Sequence, residues 1–157
     1  MSTTTQSRPA SRPHISTCRL IDLPGASDQR GHLAFIEGGR HIPFNFSRVF
    51  FLYGMPAGCS RGGHAHKRLE QFLIPLSGYF EMLLDDGHEQ QRVVLDRPNQ
   101  GLYLPRMIWS DLDHFSAGTV CAVLASMPYE ETDYIRNYDD YKRAIAPGRP
   151  SIDATPA

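Results

Sequence analysis

The chain has 157 residues, of which 16 are Lys or Arg and 17 are Asp or Glu, so its formal net charge is −1. This length, with a hydrophobic fraction of 41%, predicts one domain with its own core. The near-zero net charge gives no reason to expect nucleic acid or a membrane surface as a partner. Three cysteines without a CxxC spacing and the lack of a long apolar run predict neither disulfides nor a membrane span, and we expect a cytoplasmic protein.

The two ends of the chain are polar and rich in proline. We therefore expect disordered tails at residues 1–14 and 146–157, around a single folded domain at 15–145. Within that domain, runs rich in β-branched and aromatic residues predict eight strands, at Cys18–Leu23, His32–Ile36, Val49–Gly54, Glu70–Pro75, Tyr79–Leu84, Gln91–Leu95, Gly101–Leu104 and Thr119–Ala125.

Turn residues between these runs predict antiparallel hairpins. Ser77 and Gly78 lie between two apolar runs, and a second turn from Asp85 to Gly87 follows. The segment Asp133–Ala144 predicts a helix, because its tyrosines recur at spacings of three and four. The predicted fold is therefore an all-β sandwich or barrel with a short C-terminal helix.

The densest group of chemically active side chains contains His64 and His66, which point to the same side of an extended strand. Two such histidines alone also fit a solvated surface. Their frame is G(x5)HxH(x3)E(x7)G, which runs from Gly58 through Glu70 to Gly78. This frame closely resembles the first signature motif of the cupin superfamily, and the resemblance implies an antiparallel jelly-roll barrel.

Cupins with a complete signature use the two histidines and the glutamate as metal ligands, with one more histidine from a second motif. The matching segment from Gly101 places Ser110 where that histidine is expected. Serine is a poor ligand for transition metals, so we expect a site with no metal and no other cofactor.

Three longer segments narrow the resemblance to one family within the cupins. The strings RGGHAHKRLEQFLIPLSG, RPNQGLYLPRMIWSDL and SMPYEETDYIRNYDDY are similar to the sugar nucleotide 3,4-ketoisomerases, and the likeness runs from about Leu20 to Tyr141. This resemblance implies a dTDP-linked 4-keto-6-deoxy sugar as ligand, conversion of dTDP-4-keto-6-deoxyglucose to its 3-keto isomer, and a homodimer that associates through edge strands such as Cys18–Leu23.

Within this family, histidine suffices as the base, because the ketone at C4 acidifies the hydrogen on C3 and imidazole titrates near neutrality. The resemblance implies His64 as the principal base and His66 as its partner. The expected substrate-binding residues are Arg61, Tyr53 and Tyr103 at the sugar, Arg30 and Arg97 at the diphosphate, Ser110 facing the sugar, and Glu70 in an ion pair or a bond to a histidine. Trp109 is expected in the core.

Several alternatives remain open from the sequence. The product could have galacto or gluco configuration at C4. A related cupin epimerises C3 and C5 with a single histidine and a tyrosine, which the histidine pair argues against. The chain could also be a non-catalytic sugar-binding cupin, or a metal-dependent dioxygenase that uses His64, His66, Glu70 and His114.

Overall fold

The computed structural model describes residues 12–147. In this range it contains twelve β-strands and one α-helix. Their bounds are β1 Arg19–Asp22, β2 Gly25–Asp28, β3 Gly31–Ala34, β4 Arg48–Leu52, β5 Arg61–His66, β6 Gln71–Ser77, β7 Phe80–Asp85, β8 Gln90–Leu95, β9 Gln100–Leu104, β10 Trp109–Asp113, β11 Val120–Ala125, β12 Tyr134–Ile135 and α1 Tyr138–Ile145.

The strands form two five-stranded antiparallel sheets and one separate hairpin. The first sheet has the order β1-β9-β6-β11-β4, the second has the order β12-β5-β10-β7-β8, and β2 pairs only with β3. Each of the eight strands predicted from the sequence overlaps an observed strand. The all-β fold with a short C-terminal helix is thus confirmed, as two packed sheets.

Strand alternation divides the apolar residues between two sides of the first sheet. Leu73 and Leu102 point toward the second sheet and pack with Met82 and Leu84 in the main core. Phe72 and Tyr103, their neighbours along the strands, point the other way, into an outer cluster covered by Ile42 and Phe44. Side chains two residues apart on a strand share a face. Any other side chain on these strands can therefore be assigned to the inner or outer face by counting residues from these four.

The C-terminal helix begins five residues later than predicted. It runs from Tyr138 to Ile145, with Asn137 as the N-cap accepting a hydrogen bond from the Asp140 backbone. The expected start is wrong because Tyr134 and Ile135 pair with the end of β5 instead. Tertiary pairing has overridden the helical spacing of the tyrosines.

The helix covers the outer face of the second sheet. Trp109 is 9% exposed and packs there with Tyr141 and Ile145, as expected for a core residue. The predicted tails lie almost wholly outside the described residues. Among the described residues, none of the helices is long and apolar enough to cross a membrane.

Candidate active site

Strand β5 carries both histidines, and two glycines shape it. Ser110 of β10 lies opposite His64 and Asp111 opposite Gly62, so Gly63 is an extra residue in the ladder. Gly62 has a φ of +93°, and a Cβ there would lie 2.7 Å from the carbonyl oxygen of Ser110. Only glycine fits this position. The bulge therefore sets the direction in which the His64 side chain points from the strand.

The two histidines point into the space between the sheets. Ala65, between them in sequence, packs on the opposite side of the sheet in the helix cluster. The ring centroids of His64 and His66 are 4.9 Å apart. The Tyr134 ring lies 4.9 Å from His64 and 4.3 Å from His66. The tyrosine on β12 thus contacts both imidazoles and limits their movement.

Asp133 orients His66. Its Oδ2 lies 3.0 Å from Nδ1 of His66, and the carboxylate also accepts hydrogen bonds from the backbone N–H groups of Arg68 and Leu69. Asp133 is only 2% exposed. Because the carboxylate accepts the hydrogen bond, the proton of the neutral imidazole is assigned to Nδ1, and Nε2 carries the free lone pair.

Both histidines are held in the neutral state. Burial lowers the pKa of His66 to about 4, the neighbouring His64 adds to this shift, and Asp133 acts against it. Burial is also the main cause that lowers the pKa of His64. A neutral imidazole is the form that accepts a proton, so at neutral pH both rings are competent bases.

Arg48 faces the same enclosed space. It begins β4, where Phe50 and Leu52 alternate with it and pack against the core between the sheets. Its charge contributes to the low pKa of His66. Within residues 12–147, the buried side-chain nitrogens or oxygens that lack a hydrogen-bond partner are Nε of Arg48, Nδ1 of His64 and Nε2 of His66. A buried polar atom without a hydrogen-bond partner destabilises the folded state. Three such atoms close together therefore indicate a ligand site.

A cavity of about 500 Å³ opens beside His64, and its charged walls are Arg61 and Arg136. The Arg136 guanidinium stacks 4.2 Å from the centroid of the Tyr134 ring, and it donates two hydrogen bonds to Glu131. Two arginines beside an apolar wall suit a diphosphate and its attached groups. The other lining residues are Met55, Pro56, Cys59, Ser60 and Gly62.

Four of the residues predicted from the sequence come together at this site. Arg61 and His64 line the cavity, and His66 lies in ring contact with His64. Ser110 is 4% exposed and lies directly opposite His64 across the β5–β10 pair. Because cross-strand partners share a face, Ser110 points toward the same interior as His64.

Tyr103 and Glu70 lie together but outside this site. The Tyr103 hydroxyl donates to Oε1 of Glu70 at 2.5 Å, in the outer cluster of the first sheet. Burial and this bond raise the pKa of Tyr103. The expected bond from Glu70 to a histidine or a basic residue is replaced by one to a tyrosine. The reason is strand parity, since Glu70 shares its face with Phe72 and not with Leu73.

The remaining three predicted residues are exposed. Tyr53 is 73% exposed at the end of β4. Arg30 forms a two-pronged contact with Asp28 in the turn of the separate hairpin, and Arg97 donates to Gln100. Within one described chain, these side chains line neither the cavity nor the histidine pair.

The sequence reasoning missed Asp133, Tyr134, Arg136 and Arg48 as site residues. The first three fall in the segment predicted as a helix, whereas in the structure Tyr134 and Ile135 form β12, which pairs antiparallel with the end of β5. Arg48 is not singled out by any motif in the sequence. Its parity with Phe50 and Leu52 would have indicated an inward side chain.

The metal-dependent alternative does not agree with these positions. Its four ligands would be His64, His66, Glu70 and His114, yet Glu70 lies on the outer face with Tyr103. His114 is 62% exposed and contacts Asp113 and Glu81 instead. Among the described residues, the cluster close enough to share a cation is that surface group, not the histidine pair.

The fold and the site together define a cupin-type acid–base enzyme. The chain belongs to the family described as WxcM-like, C-terminal (FdtA), whose model matches residues 16–146. Over 128 residues it is 43% identical to TDP-4-oxo-6-deoxy-alpha-D-glucose-3,4-oxoisomerase of Aneurinibacillus thermoaerophilus, an alignment that covers 82% of this chain and 92% of that protein. The resemblance to the sugar nucleotide 3,4-ketoisomerases is thus confirmed.

Solved structures agree with this assignment. QdtA, a sugar 3,4-ketoisomerase from Thermoanaerobacterium thermosaccharolyticum solved with TDP, is 39% identical with a TM-score of 0.80 over 83% of this chain and 95% of its own. A variant of the same enzyme was solved with TDP-4-keto-6-deoxyglucose. ChmJ, a 3′-monoepimerase from Streptomyces bikiniensis, is 16% identical with a TM-score of 0.66 over 74% of this chain and 67% of its own, which shows a shared fold alone.

Proposed function

We propose that this chain isomerises dTDP-4-keto-6-deoxyglucose to a dTDP-3-keto-6-deoxyhexose by proton transfer through an enediolate, without a metal. The observation that carries the proposal is the buried, neutral His66, which is oriented by Asp133 and leaves Nε2 unpartnered beside His64. The family membership supports the substrate class.

The two histidines divide the proton transfers. His66 removes the hydrogen from C3 as a proton, and the electron pair forms the C3–C4 double bond of the enediolate, with the charge on the C4 oxygen. The same imidazolium then returns the proton to C4, while His64 carries the proton of the C3 hydroxyl to the C4 oxygen. The C3 oxygen is left as the new ketone, so the atoms balance and no oxidant is required.

This division reverses the one expected from the sequence, which placed His64 at C3. His66 is the better base at C3 because Asp133 holds both its tautomer and its ring orientation. His64 lines the cavity and is the better placed of the two to exchange protons with oxygen atoms of a bound sugar.

Arg48 supplies the positive charge that the enediolate needs. Its unpartnered Nε is buried in the same space as the histidines, where a fixed cation stabilises a developing oxyanion strongly. Ser110, opposite His64, lies where it can contact the hexose near C4. Arg61 and Arg136 on the cavity wall hold the diphosphate.

We further propose that the protein acts as a homodimer. The strand β1 lies at an edge of the first sheet, as expected, and the outer face of that sheet exposes Val49, Phe51 and Leu76. The β2–β3 hairpin is exposed at every residue and has no further strand partner among the described residues. Such a hairpin is only marginally stable by itself. A second copy of the chain would cover both the hairpin and the exposed apolar residues of the first sheet.

In a dimer, the exposed Arg30, Tyr53 and Arg97 could contact substrate bound in the pocket of the neighbouring subunit.

Light scattering after size-exclusion chromatography tests whether the protein is a dimer. Phe51→Asp should dissociate it. Val94→Asp, on an exposed strand position of the second sheet, should leave the mass unchanged. A wild-type monomer at micromolar concentration would contradict the proposal.

We place the reaction in the cytoplasm, since Cys18, Cys59 and Cys121 are all free thiols.

The activity itself is tested by incubating the protein with dTDP-4-keto-6-deoxyglucose in deuterated water and following the sugar by proton NMR. We expect a 3-keto product, with exchange confined to C3 and C4. Exchange at C5 would instead indicate a 3,5-epimerase, and tight binding of dTDP without turnover would indicate a non-catalytic cupin.

A further inference from the structure

Gln71 is a buried polar residue that the mechanism above does not use. It begins β6, where Leu73 points into the core between the sheets and Phe72 points into the outer cluster. By the same alternation, the Gln71 side chain points between the sheets. It is 7% exposed. The inward position that Glu70 was expected to fill is therefore occupied by the next residue, an amide.

Gln71 lies in one row with Arg48 on the inner face of the first sheet. The strand register places Gln71 opposite Ala125 and opposite Leu104, and places Ala125 opposite Arg48. Directly paired residues share a face, so Gln71 and Arg48 flank the small Ala125 side chain. The two polar side chains are therefore separated in the row only by a small, fully buried residue.

The row lies at the histidine end of the two sheets. Only the corner at residues 67–70 separates His66, at the end of β5, from Gln71, at the start of β6. Arg48, in the same row, is close enough to His66 for its charge to influence that imidazole. Gln71 therefore faces the space in which the unpartnered nitrogens of His64, His66 and Arg48 are enclosed.

The Gln71 amide forms no side-chain hydrogen bond with the described residues, and its polar atoms are not among the enclosed unpartnered ones, so they are open to a ligand or to water. The donor and acceptor of this amide are thus available to a ligand, which would replace water as their partner. An amide offers both a donor and an acceptor, which complements a sugar hydroxyl, and it carries no charge that would repel an enediolate. A carboxylate at this position would repel it.

We propose that Gln71 is a positioning residue that holds a hydroxyl group of the hexose, so that C3 and C4 lie against the histidine pair. The proposal rests on the proposed function for its substrate. The amide N–H donates to the hydroxyl oxygen, and the amide oxygen accepts the hydroxyl proton.

The test compares ligands with and without a hexose. In Gln71→Leu, which keeps the volume and removes both polar atoms, we expect kcat/KM for dTDP-4-keto-6-deoxyglucose to fall about 10- to 100-fold. By isothermal titration calorimetry, the affinity for dTDP-glucose should fall while the affinity for dTDP stays unchanged. Gln71→Glu should lower kcat further than Gln71→Leu, because it adds a negative charge near the enediolate. Gln91→Leu, an exposed exchange on β8, serves as the control.

The outcomes separate the two proposals. Wild-type kcat/KM in Gln71→Leu would overturn the role of Gln71 and leave the isomerase intact. Equal losses of dTDP and dTDP-glucose affinity would also overturn it, since they would show a general structural effect. If the wild-type chain does not isomerise the sugar, the proposed function fails, and the ratio of the two affinities still decides whether Gln71 holds the hexose.

Discussion

Asp133 and His66 form a buried pair in which Oδ2 of the carboxylate lies 3.0 Å from Nδ1 of the imidazole, and both side chains are less than 10% exposed. The pair joins two parts of the fold, because Asp133 precedes β12 and His66 ends β5. The β12–β5 pairing therefore also fixes the geometry of the Asp133–His66 pair.

We expect Asp133→Asn to lower kcat about 100-fold while dTDP affinity stays near wild type, because the amide no longer fixes the Nδ1–H tautomer of His66. Steady-state kinetics and calorimetry measure both quantities. Asp139→Asn, at an exposed helix position, is the control. Unchanged kcat in Asp133→Asn would show that the pair does not support catalysis.

The pH dependence of activity should follow the low pKa of His66, which burial brings to about 4. The base works when neutral, so the acid limb of kcat/KM should lie below the ordinary histidine pKa of about 6.5. A pH–rate profile from pH 4.5 to 8 shows whether the limb lies below pH 6.5. An acid limb at or above pH 6.5 would contradict the burial of the base.

The same shift predicts a loss of stability in acid. Between about pH 6.5 and 4 the unfolded chain binds a proton at His66 that the folded chain does not, so the free energy of unfolding falls as pH falls. Urea unfolding at pH 7 and pH 5 should show a smaller decrease for His66→Asn than for wild type. His88→Asn, at an exposed turn, should behave like wild type.

The β5 bulge gives a stability test that separates strain from steric overlap. Gly62→Ala places a Cβ 2.7 Å from the Ser110 carbonyl at a positive φ, whereas Gly118→Ala has a positive φ with nothing within 4 Å. We expect Gly118→Ala to cost about 1 kcal/mol and Gly62→Ala about 2 kcal/mol more, with lower activity. If thermal unfolding shows the same loss of stability for both variants, the steric overlap between the added Cβ and the Ser110 carbonyl is relieved in Gly62→Ala.

The diphosphate contact can be tested at the cavity wall. Arg61→Gln should weaken dTDP binding about 10-fold, because a charge-assisted hydrogen bond to phosphate is lost. The weakening should shrink at high salt. Arg143→Gln, in an exposed pair on the helix, is the control. Wild-type dTDP affinity in Arg61→Gln would place the diphosphate elsewhere.

The sequence was sufficient for most of the strands and for the histidine pair, because both depend on local patterns such as alternation and the HxH spacing, but it did not predict β2, β10 or β12. It was insufficient for the faces of Glu70 and Gln71, since a shift of one residue moves a side chain across the sheet. It also missed Asp133, whose role depends on a contact between segments 67 residues apart. A contact between residues so far apart in the chain produces no local periodicity in the sequence.

The most direct measurement of the central claim uses dTDP-4-keto-6-deoxyglucose deuterated at C3, with the deuterium followed by NMR. In the wild type we expect the label to leave C3 and to appear at C4 or in water. His66→Asn should abolish this transfer while retaining dTDP affinity, and His64→Asn should slow it. Wild-type transfer of the C3 deuterium in His66→Asn would contradict the assignment of His66 as the base.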